Sequence, residues 1–191
     1  MDAGAIEAVV VADSRRLVYV SGAPGSGKTS LAFPLAAELG YALLAKDRIK
    51  ETLHDALGAP EPDRVWSRRL GGAAMELLWA LAADAPAVVI EANFRPYSEY
   101  ERAKLSGLAA HPVEVHCVCP LEVALQRYNA RVSHPVHVVA TIAPDAIAEY
   151  DRPVGIGALV TVDTTVTVDV NAVAAAVRAC HGHGNRHAGV H

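Results

Sequence analysis

The sequence is poor in aromatic and in charged residues, which make up 5% and 20% of its 191 positions. Hydrophobic residues make up 52%, which excludes a disordered chain and predicts one globular domain with a sizeable core. With 17 Lys and Arg against 21 Asp and Glu, the net charge is −4. The chain therefore lacks the broad basic field that holds a long polyanion. This disfavours nucleic acid as a partner, although a local basic groove stays open.

Cysteines are also few, and none of the three belongs to a C-x-x-C pair. The odd number and the lack of a disulfide pattern are typical of cytoplasmic proteins, and we expect that compartment here. Cys117 and Cys119 lie two positions apart in a strand-like run, so we predict two buried thiols on one side of it. No apolar run approaches the roughly 20 residues of a membrane span, and the charges within 1–16 predict no signal peptide there. We expect no membrane partner, and the sequence carries no signal of oligomeric state.

The sequence does contain one specific motif, which extends from Gly22 to Thr29. It has the form G-x-x-x-x-G-K-T, the P-loop pattern, between an apolar strand-like run at 17–20 and a helix-like run at 31–39. Glycines let the backbone direct N–H groups at phosphate oxygens, and the helix N-terminus adds partial positive charge. Lys28 would reach the β- and γ-phosphates, and the Thr29 hydroxyl would bind Mg²⁺. The pattern predicts that ATP is bound by Gly22, Ala23, Pro24, Gly25, Ser26, Gly27, Lys28, Thr29 and Ser30.

Strand-like and helix-like segments alternate along the chain. Apolar runs predict five strands at about 17–21, 41–45, 88–90, 113–118 and 158–162. Periodicity and cap residues predict helices at about 28–39, 48–53, 63–84, 96–110, 120–128, 145–150 and 170–179. This alternation is typical of an α/β fold, in which a parallel sheet has helices on both faces and binds ligands beyond the carboxyl ends of its strands.

We predict a single domain over 1–180. Residues 58–62 are expected to form a loop. Residues 132–144 combine Pro and His-Pro steps with no clear period, and they predict a mobile loop, so that the lid of the domain covers about 131–144. The Gly/His-rich tail 181–191 is expected to be disordered.

Asp47 follows the second predicted strand and is the first candidate catalytic residue. It could cap the next helix, and it could also accept a proton from an acceptor hydroxyl beside the γ-phosphate; the two roles are compatible. Arg48 and Lys50 could position an anionic or polar substrate, or they could simply form a solvated helix face.

Glu91, Asn93 and Arg95 follow the third predicted strand. A carboxylate after a buried strand is the usual acid partner of a P-loop and would hold Mg²⁺ through water, although Glu91 could also be an ordinary acid at a strand end. Asn93 could orient a substrate hydroxyl, and Arg95 a phosphate.

Arg127 and Arg131 lie four positions apart on one helical face, at the start of the lid. Two guanidiniums there could close over the triphosphate and stabilise charge that develops on the transferred phosphoryl group. The alternative is a surface pair bridged to acids such as Glu122.

Two weaker signals complete the candidate site. Asp163 and Thr165 follow the fifth predicted strand, where the loop on the adenine side is expected, although a plain turn fits equally well. His134 and His137 lie in the lid loop, and we interpret them as structural.

Four segments beyond the P-loop carry a family resemblance: AKDRIK at 45–50, IEANF at 90–94, LQRYNAR at 125–131 and HPVH at 134–137. With them the chain resembles, from about 17 to 179, the small P-loop kinases. Their group contains zeta toxins, chloramphenicol phosphotransferase, gluconate kinase and the 5′-hydroxyl polynucleotide kinase domain. We expect an AAA-type ATP-binding protein.

The resemblance implies a P-loop nucleoside triphosphate hydrolase fold, with five parallel strands in the order 2-3-1-4-5. It implies that Asp47 is the base for the acceptor hydroxyl and that Glu91 replaces the absent Walker-B aspartate. It also implies that Arg127 and Arg131 are the lid charges.

Two positions depart from the family pattern. Lys50 stands where the polynucleotide kinase has an arginine, and Ser133 stands where lids of this group often carry one.

Three functional hypotheses follow. The first is an ATP- and Mg²⁺-dependent kinase that phosphorylates a hydroxyl of a small molecule. The second is a 5′-hydroxyl nucleic-acid kinase, for which Arg64, Arg68 and Arg69 could line a groove. The third is a nucleotide-binding regulatory ATPase that hydrolyses slowly and signals by its conformation.

Overall fold

The structure, a computed structural model, describes residues 15–58, 63–138, 142–150 and 152–184. Within these ranges the strands are β1 Arg16–Gly22, β2 Ala42–Ala45, β3 Ala87–Glu91, β4 Val113–Val118 and β5 Ala158–Asp163. The helices there are α1 Lys28–Leu39, α2 Lys46–Leu57, α3 Arg64–Asp84, α4 Glu99–Leu108, α5 Leu121–Ala130, α6 Pro144–Ala148 and α7 Val170–Gly184.

The five strands form one sheet in the order β2-β3-β1-β4-β5, and every neighbouring pair is parallel. β1 lies at the centre, between β3 and β4. Its core-facing residues are apolar on both sides because helices cover both faces of the sheet. The predicted fold class and strand order are confirmed, and all carboxyl ends point to the edge where the P-loop lies.

Alternate residues of β1 supply two separate cores. Val18 and Val20 pack with α1 and α7 on one face of the sheet. Leu17 and Tyr19 pack with α3 and α4 on the other face. The Tyr19 ring meets Phe94 edge to face, with ring centroids 5.8 Å apart, so the segment after β3 is fixed from beneath. The P-loop is therefore mounted on a strand that is held from both sides.

Among the helix boundaries that differ from the predictions are those of α4, α7 and α2. Pro96 does not open α4, because the Ser98 hydroxyl accepts the N–H of Glu101 and starts the helix at Glu99. α7 continues to Gly184, so 181–184 are helical, whereas the sequence predicts disorder from 181. α2 begins one residue before Asp47. The predicted loop at 59–62 and the end of the tail, 185–191, lie outside the described residues.

The cysteine prediction is confirmed for one residue of the pair. Cys117 is buried on β4, whereas Cys119 lies beyond the end of that strand and is half-buried. All three cysteines are free thiols. In the described ranges, no helix is both long enough and apolar enough to cross a membrane.

Candidate active site

The P-loop follows β1 directly and packs closely on two other elements. Gly22 has φ 130° and Gly25 has φ 83°, both in the region that favours glycine. A Cβ on Gly22 would overlap the Cys117 carbonyl, and one on Gly25 would overlap the carbonyl of Ala124 on α5. The glycines are thus needed for packing as well as for access of the backbone to phosphate. Two other P-loop residues, Ala23 and Ser26, line a separate cavity of about 250 Å³ between the loop, α5 and α6.

Lys28 and Glu91 form the buried charged floor of the site; each is 5% exposed. The Lys28 ammonium donates to the carbonyl oxygens of Gly22 and Ala23 at 2.8 and 2.7 Å. Burial lowers the pKa of Lys28, and the opposing attraction of Glu91 limits that fall. Burial raises the pKa of Glu91, while Lys28 and a hydrogen bond with Thr29 lower it. A carboxylate and a hydroxyl are thereby brought together beside the P-loop.

Asp47 lies in the first turn of α2 and does not cap it. The N-cap position is Ala45, so the cap interpretation of Asp47 is wrong and its carboxylate is available for other contacts. Lys46 donates to Asp47 Oδ1 at 2.9 Å. Burial raises the pKa of Asp47, but the charge and hydrogen bond of Lys46, followed by the charges of His137 and Arg131, hold it below its ordinary value. Asp47 is therefore an ionised carboxylate at neutral pH.

A cavity of about 390 Å³, which we call the acceptor-side pocket, brings Asp47 and Glu91 together with the start of the lid. It is lined by Thr29, Phe33, Ala45, Asp47, Arg48, Glu51, Glu91, Arg131, Val132, Ser133, His134 and His137. The Arg131 guanidinium lies 4.2 Å from the centroid of the Tyr128 ring, which gives it a cation–π platform. Acids and cations thus line one opening beside the P-loop.

A second cavity of about 320 Å³ lies on the other side of the P-loop. We call it the base-side pocket, after the nucleotide base that is expected on that side and not after the catalytic base. Its walls are Gly27, Ser30, Leu31, Arg127, Thr164, Val166, Val168 and Val170. Arg127 donates to the Thr164 carbonyl at 2.9 Å. Thr164 in turn donates from its hydroxyl to the Ser26 carbonyl of the P-loop at 2.7 Å. Arg127 therefore belongs to this pocket and Arg131 to the other, so the predicted pair of lid charges is divided between two places.

The predicted substrate residues are also divided. Arg48 lines the acceptor-side pocket and lies over the Phe33 ring at 5.6 Å. Lys50 is buried and donates to Ser67 at 2.7 Å, and burial lowers its pKa. Asn93 is exposed. Lys50 and Asn93 are therefore not brought to the acceptor-side pocket.

Arg95 is likewise directed elsewhere. It lies 3.9 Å from Glu149, and a hydrogen bond with Tyr150 raises its pKa. Tyr150 lies just beyond α6, so this contact ties the segment after β3 to that helix.

Asp163 and Thr165, which are predicted for the adenine side, do not line the base-side pocket. Asp163 Oδ1 accepts from both the N–H and the hydroxyl of Thr165, at 2.8 and 2.6 Å, which closes a local turn. These hydrogen bonds hold the pKa of Asp163 below its ordinary value. The residue between them, Thr164, is the one that faces the base-side pocket.

Several site residues were missed by sequence reasoning: Lys46, Glu51, Thr164, Val166, Val168 and Val170. The alternating valines after β5 were a usable signal of an apolar wall. Glu51 lies four residues after Asp47, and that spacing alone places both on one helix face.

Comparisons with known proteins agree with this fold. Residues 17–153 match the family model described as an AAA domain. A protein from Chloroflexus aurantiacus J-10-fl, to which a kinase function has been ascribed, is 31% identical in sequence. The match covers 87% of this chain and 98% of that one, with a TM-score of 0.72.

Two more distant structures share the fold. A shikimate kinase from Acinetobacter baumannii, solved with shikimate, is 19% identical at a TM-score of 0.57, covering 87% of this chain and 92% of that one. A gluconokinase from Sinorhizobium meliloti 1021 is 20% identical at a TM-score of 0.52, covering 91% and 97%. No curated protein matches the sequence.

Proposed function

The chain belongs to the AAA domain family, and from that premise we propose that it is an ATP-dependent kinase acting on a hydroxyl of a small molecule. One observation carries the proposal. The ionised Asp47 carboxylate and the Arg131 guanidinium line the same pocket as Thr29 of the P-loop and Glu91. A hydrolytic switch needs no base positioned for a bound acceptor, whereas transfer to a hydroxyl uses one.

The residues suit a direct transfer. The acceptor oxygen attacks the γ-phosphorus while its proton passes to a carboxylate oxygen of Asp47, and the bond from that phosphorus to the bridging oxygen breaks, so ADP leaves. Arg131 would stabilise the charge on the transferred group. The depressed pKa of Asp47 keeps it ready to accept the proton, which then passes to water.

The residues present also fit a magnesium ion. Thr29 and Glu91 line the same pocket and offer the hard oxygen donors that Mg²⁺ prefers. They are the residues that would hold it, and the ion would neutralise charge on the β- and γ-phosphates. The described residues contain no cluster of three or more His, Cys, Asp or Glu arranged for a metal. Triphosphate oxygens and water would therefore complete the coordination.

A small acceptor is favoured over a nucleic acid. The acceptor-side pocket encloses about 390 Å³, within the range of small-molecule sites. Shikimate kinase and gluconokinase share the fold, and a net charge of −4 opposes a long polyanion. The three free cysteines support the cytoplasm as the compartment.

The test is a transfer assay with γ-labelled ATP and Mg²⁺. A panel of sugars, hydroxy acids, nucleosides and aminoglycoside antibiotics is compared with a 5′-hydroxyl oligonucleotide. We expect at least one small compound to become labelled, and its addition to accelerate ADP release. Label on the oligonucleotide alone would move the chain to the nucleic-acid kinases. ADP release that no compound accelerates would contradict the kinase proposal in favour of a regulatory ATPase.

A further inference from the structure

One face of α2 carries three carboxylates at four-residue intervals: Asp47, Glu51 and Asp55. Residues 131–138, which we call the lid segment, lie against this face. The segment is anchored by Val136, whose side chain is fully buried. The proposed function uses only the first of the three carboxylates. The other two are engaged by histidines from the lid segment.

The two histidine–carboxylate pairs differ in position. In the inner pair, His137 Nε2 lies 2.8 Å from Glu51 Oε1. In the outer pair, His134 Nε2 lies 3.1 Å from Asp55 Oδ1. The side chain of His137 is 13% exposed and that of His134 is 24% exposed. The inner pair is therefore the less screened of the two, and it is one helical turn from Asp47.

Hydrogen bonding assigns the outer pair a holding role. The Val136 N–H donates to Nδ1 of His134 at 3.2 Å, so that nitrogen presents its lone pair. Nε2 must then carry the proton that is donated to Asp55. His134 is thus a clasp between the lid segment and the far end of α2. The edge-on packing of His54 on its ring, with centroids 5.3 Å apart, supports the same role.

The inner pair faces the reacting end of the pocket. His137 is one of the charges that, after the opposing effect of burial and the larger effect of Lys46, lower the pKa of Asp47. The other charged groups around the two residues include Lys46, Arg48, Lys50 and Glu51 on α2, Arg131 on the lid segment, and Lys28 and Glu91 at the centre of the site.

Building on the proposed function, we infer that His137, held by Glu51, is a positioning residue for the acceptor end of the site. It fixes the lid segment over the acceptor-side pocket with its imidazole beside the carboxylate that receives the proton. The acceptor then meets Asp47 only when the lid segment is seated on α2. His134 and Asp55 hold the segment without acting on Asp47.

The first test uses the protein alone, without nucleotide, metal or acceptor. The Asp47 carboxyl is titrated by ¹³C NMR in the wild type, in His137→Gln and in the matched outer variant His134→Gln. We expect the pKa of Asp47 to rise in His137→Gln, because a cationic neighbour has been removed, and to stay at the wild-type value in His134→Gln. No change in His137→Gln, or equal changes in both variants, would overturn the inference. If His137→Gln unfolds, His137→Asn replaces it.

The second test follows transfer from Mg-ATP to the most active compound of the hydroxyl panel. His137→Gln and Glu51→Gln should each raise KM for that compound about tenfold while KM for ATP stays within about twofold. The double variant should be no worse than either single one, because the two residues act as a unit. Asp55→Asn, at an exposed carboxylate outside the lining of the acceptor-side pocket, should raise KM less than either inner variant does. Equal effects of the inner and outer pairs, or additive losses, would contradict the assignment.

The two tests separate the inference from its premise. If no compound accepts phosphate, the proposed function fails, while the Asp47 titration still decides whether His137 acts on that carboxylate. If transfer occurs and the titration does not distinguish His137 from His134, the kinase proposal stands and the positioning role falls.

Discussion

The two pockets that flank the P-loop are similar in size and opposite in character. The acceptor-side pocket, of about 390 Å³, is rich in carboxylates and cations. The base-side pocket, of about 320 Å³, is walled by aliphatic side chains and has one charged residue, Arg127, on its lining. Charged groups that can stabilise a developing charge or accept a proton are concentrated in the acceptor-side pocket. The other side offers apolar contact to a flat ring.

From this division we predict that the two lid arginines have different tasks. They are four residues apart in sequence, yet Arg131 faces the carboxylates and Arg127 is bonded to Thr164. α5 ends at Ala130, so Arg131 lies beyond the helix in extended backbone and leaves the helical face that Arg127 occupies. We expect removal of each arginine to affect a different kinetic constant.

The largest expected effect is that of Arg131→Ala. Loss of the guanidinium that would stabilise transition-state charge should lower kcat about 10²- to 10³-fold. ATP affinity should change by less than about threefold, since the phosphates are held chiefly by the P-loop backbone. Single-turnover transfer and calorimetric titration with ATP measure the two quantities. An unchanged kcat combined with weakened ATP binding would mean that Arg131 contributes to ATP binding and not to transfer.

Arg127→Ala should show the converse pattern with a smaller effect. The variant opens one wall of the base-side pocket and leaves the Thr164 carbonyl without its donor. We expect Kd for ATP to rise about tenfold, which corresponds to about 1.4 kcal/mol, while kcat stays within about twofold. Calorimetric titration of ATP into both arginine variants checks this. A large loss of kcat in Arg127→Ala would contradict the assignment of different roles to Arg127 and Arg131.

Thr164→Val tests the link between the base side and the P-loop. The hydroxyl donates to the Ser26 carbonyl, so its loss should cost about 0.5–1.5 kcal/mol. That loss lowers Tm by roughly 2–4 °C for each kcal/mol. Thr165→Val is the matched control, since that exposed hydroxyl bonds only to Asp163 among the contacts described here. Equal Tm values for the two variants in thermal unfolding would argue against the link.

The smallest expected effect concerns Cys117, whose buried thiol we expect to react slowly with an alkylating agent. Burial raises the pKa of this thiol to about 12, so the reactive thiolate is scarce at pH 8 and becomes abundant only as pH approaches that value. We expect iodoacetamide to modify the half-buried Cys119 and Cys180 first. Peptide mass mapping of the native protein measures the order. Early modification of Cys117 would mean that β4 opens beneath the P-loop.

The sequence predicts the part of the site that local geometry dictates. A strand, a glycine loop and a helix in succession define the P-loop, and buried apolar runs define the five parallel strands, whereas the strand order follows from the family resemblance. The strand ends then bring Asp47 and Glu91 to one edge. The P-loop and the strands depend on backbone periodicity, and the winding of the sheet depends on the right-handed connection rule. Both can be applied to the sequence alone.

The rest depends on where helices begin and end. Asp47 is freed from capping because α2 starts one residue earlier. Arg131 separates from Arg127 because α5 stops before it. Glu51 and His137 meet only because the lid segment lies on α2, a contact between residues 86 positions apart. Contacts between side chains so far apart along the chain leave no pattern in the local sequence from which they could be predicted.

Asp47 is the residue on which the proposed transfer depends most directly, because it receives the acceptor proton. The decisive measurement compares wild type and Asp47→Asn in transfer from Mg-ATP to the best acceptor of the panel, with Kd for ATP measured alongside. We expect transfer to fall at least about 10²-fold, because a near-isosteric amide cannot take up the proton, while Kd for ATP stays within about twofold. Undiminished transfer in Asp47→Asn would contradict the central claim.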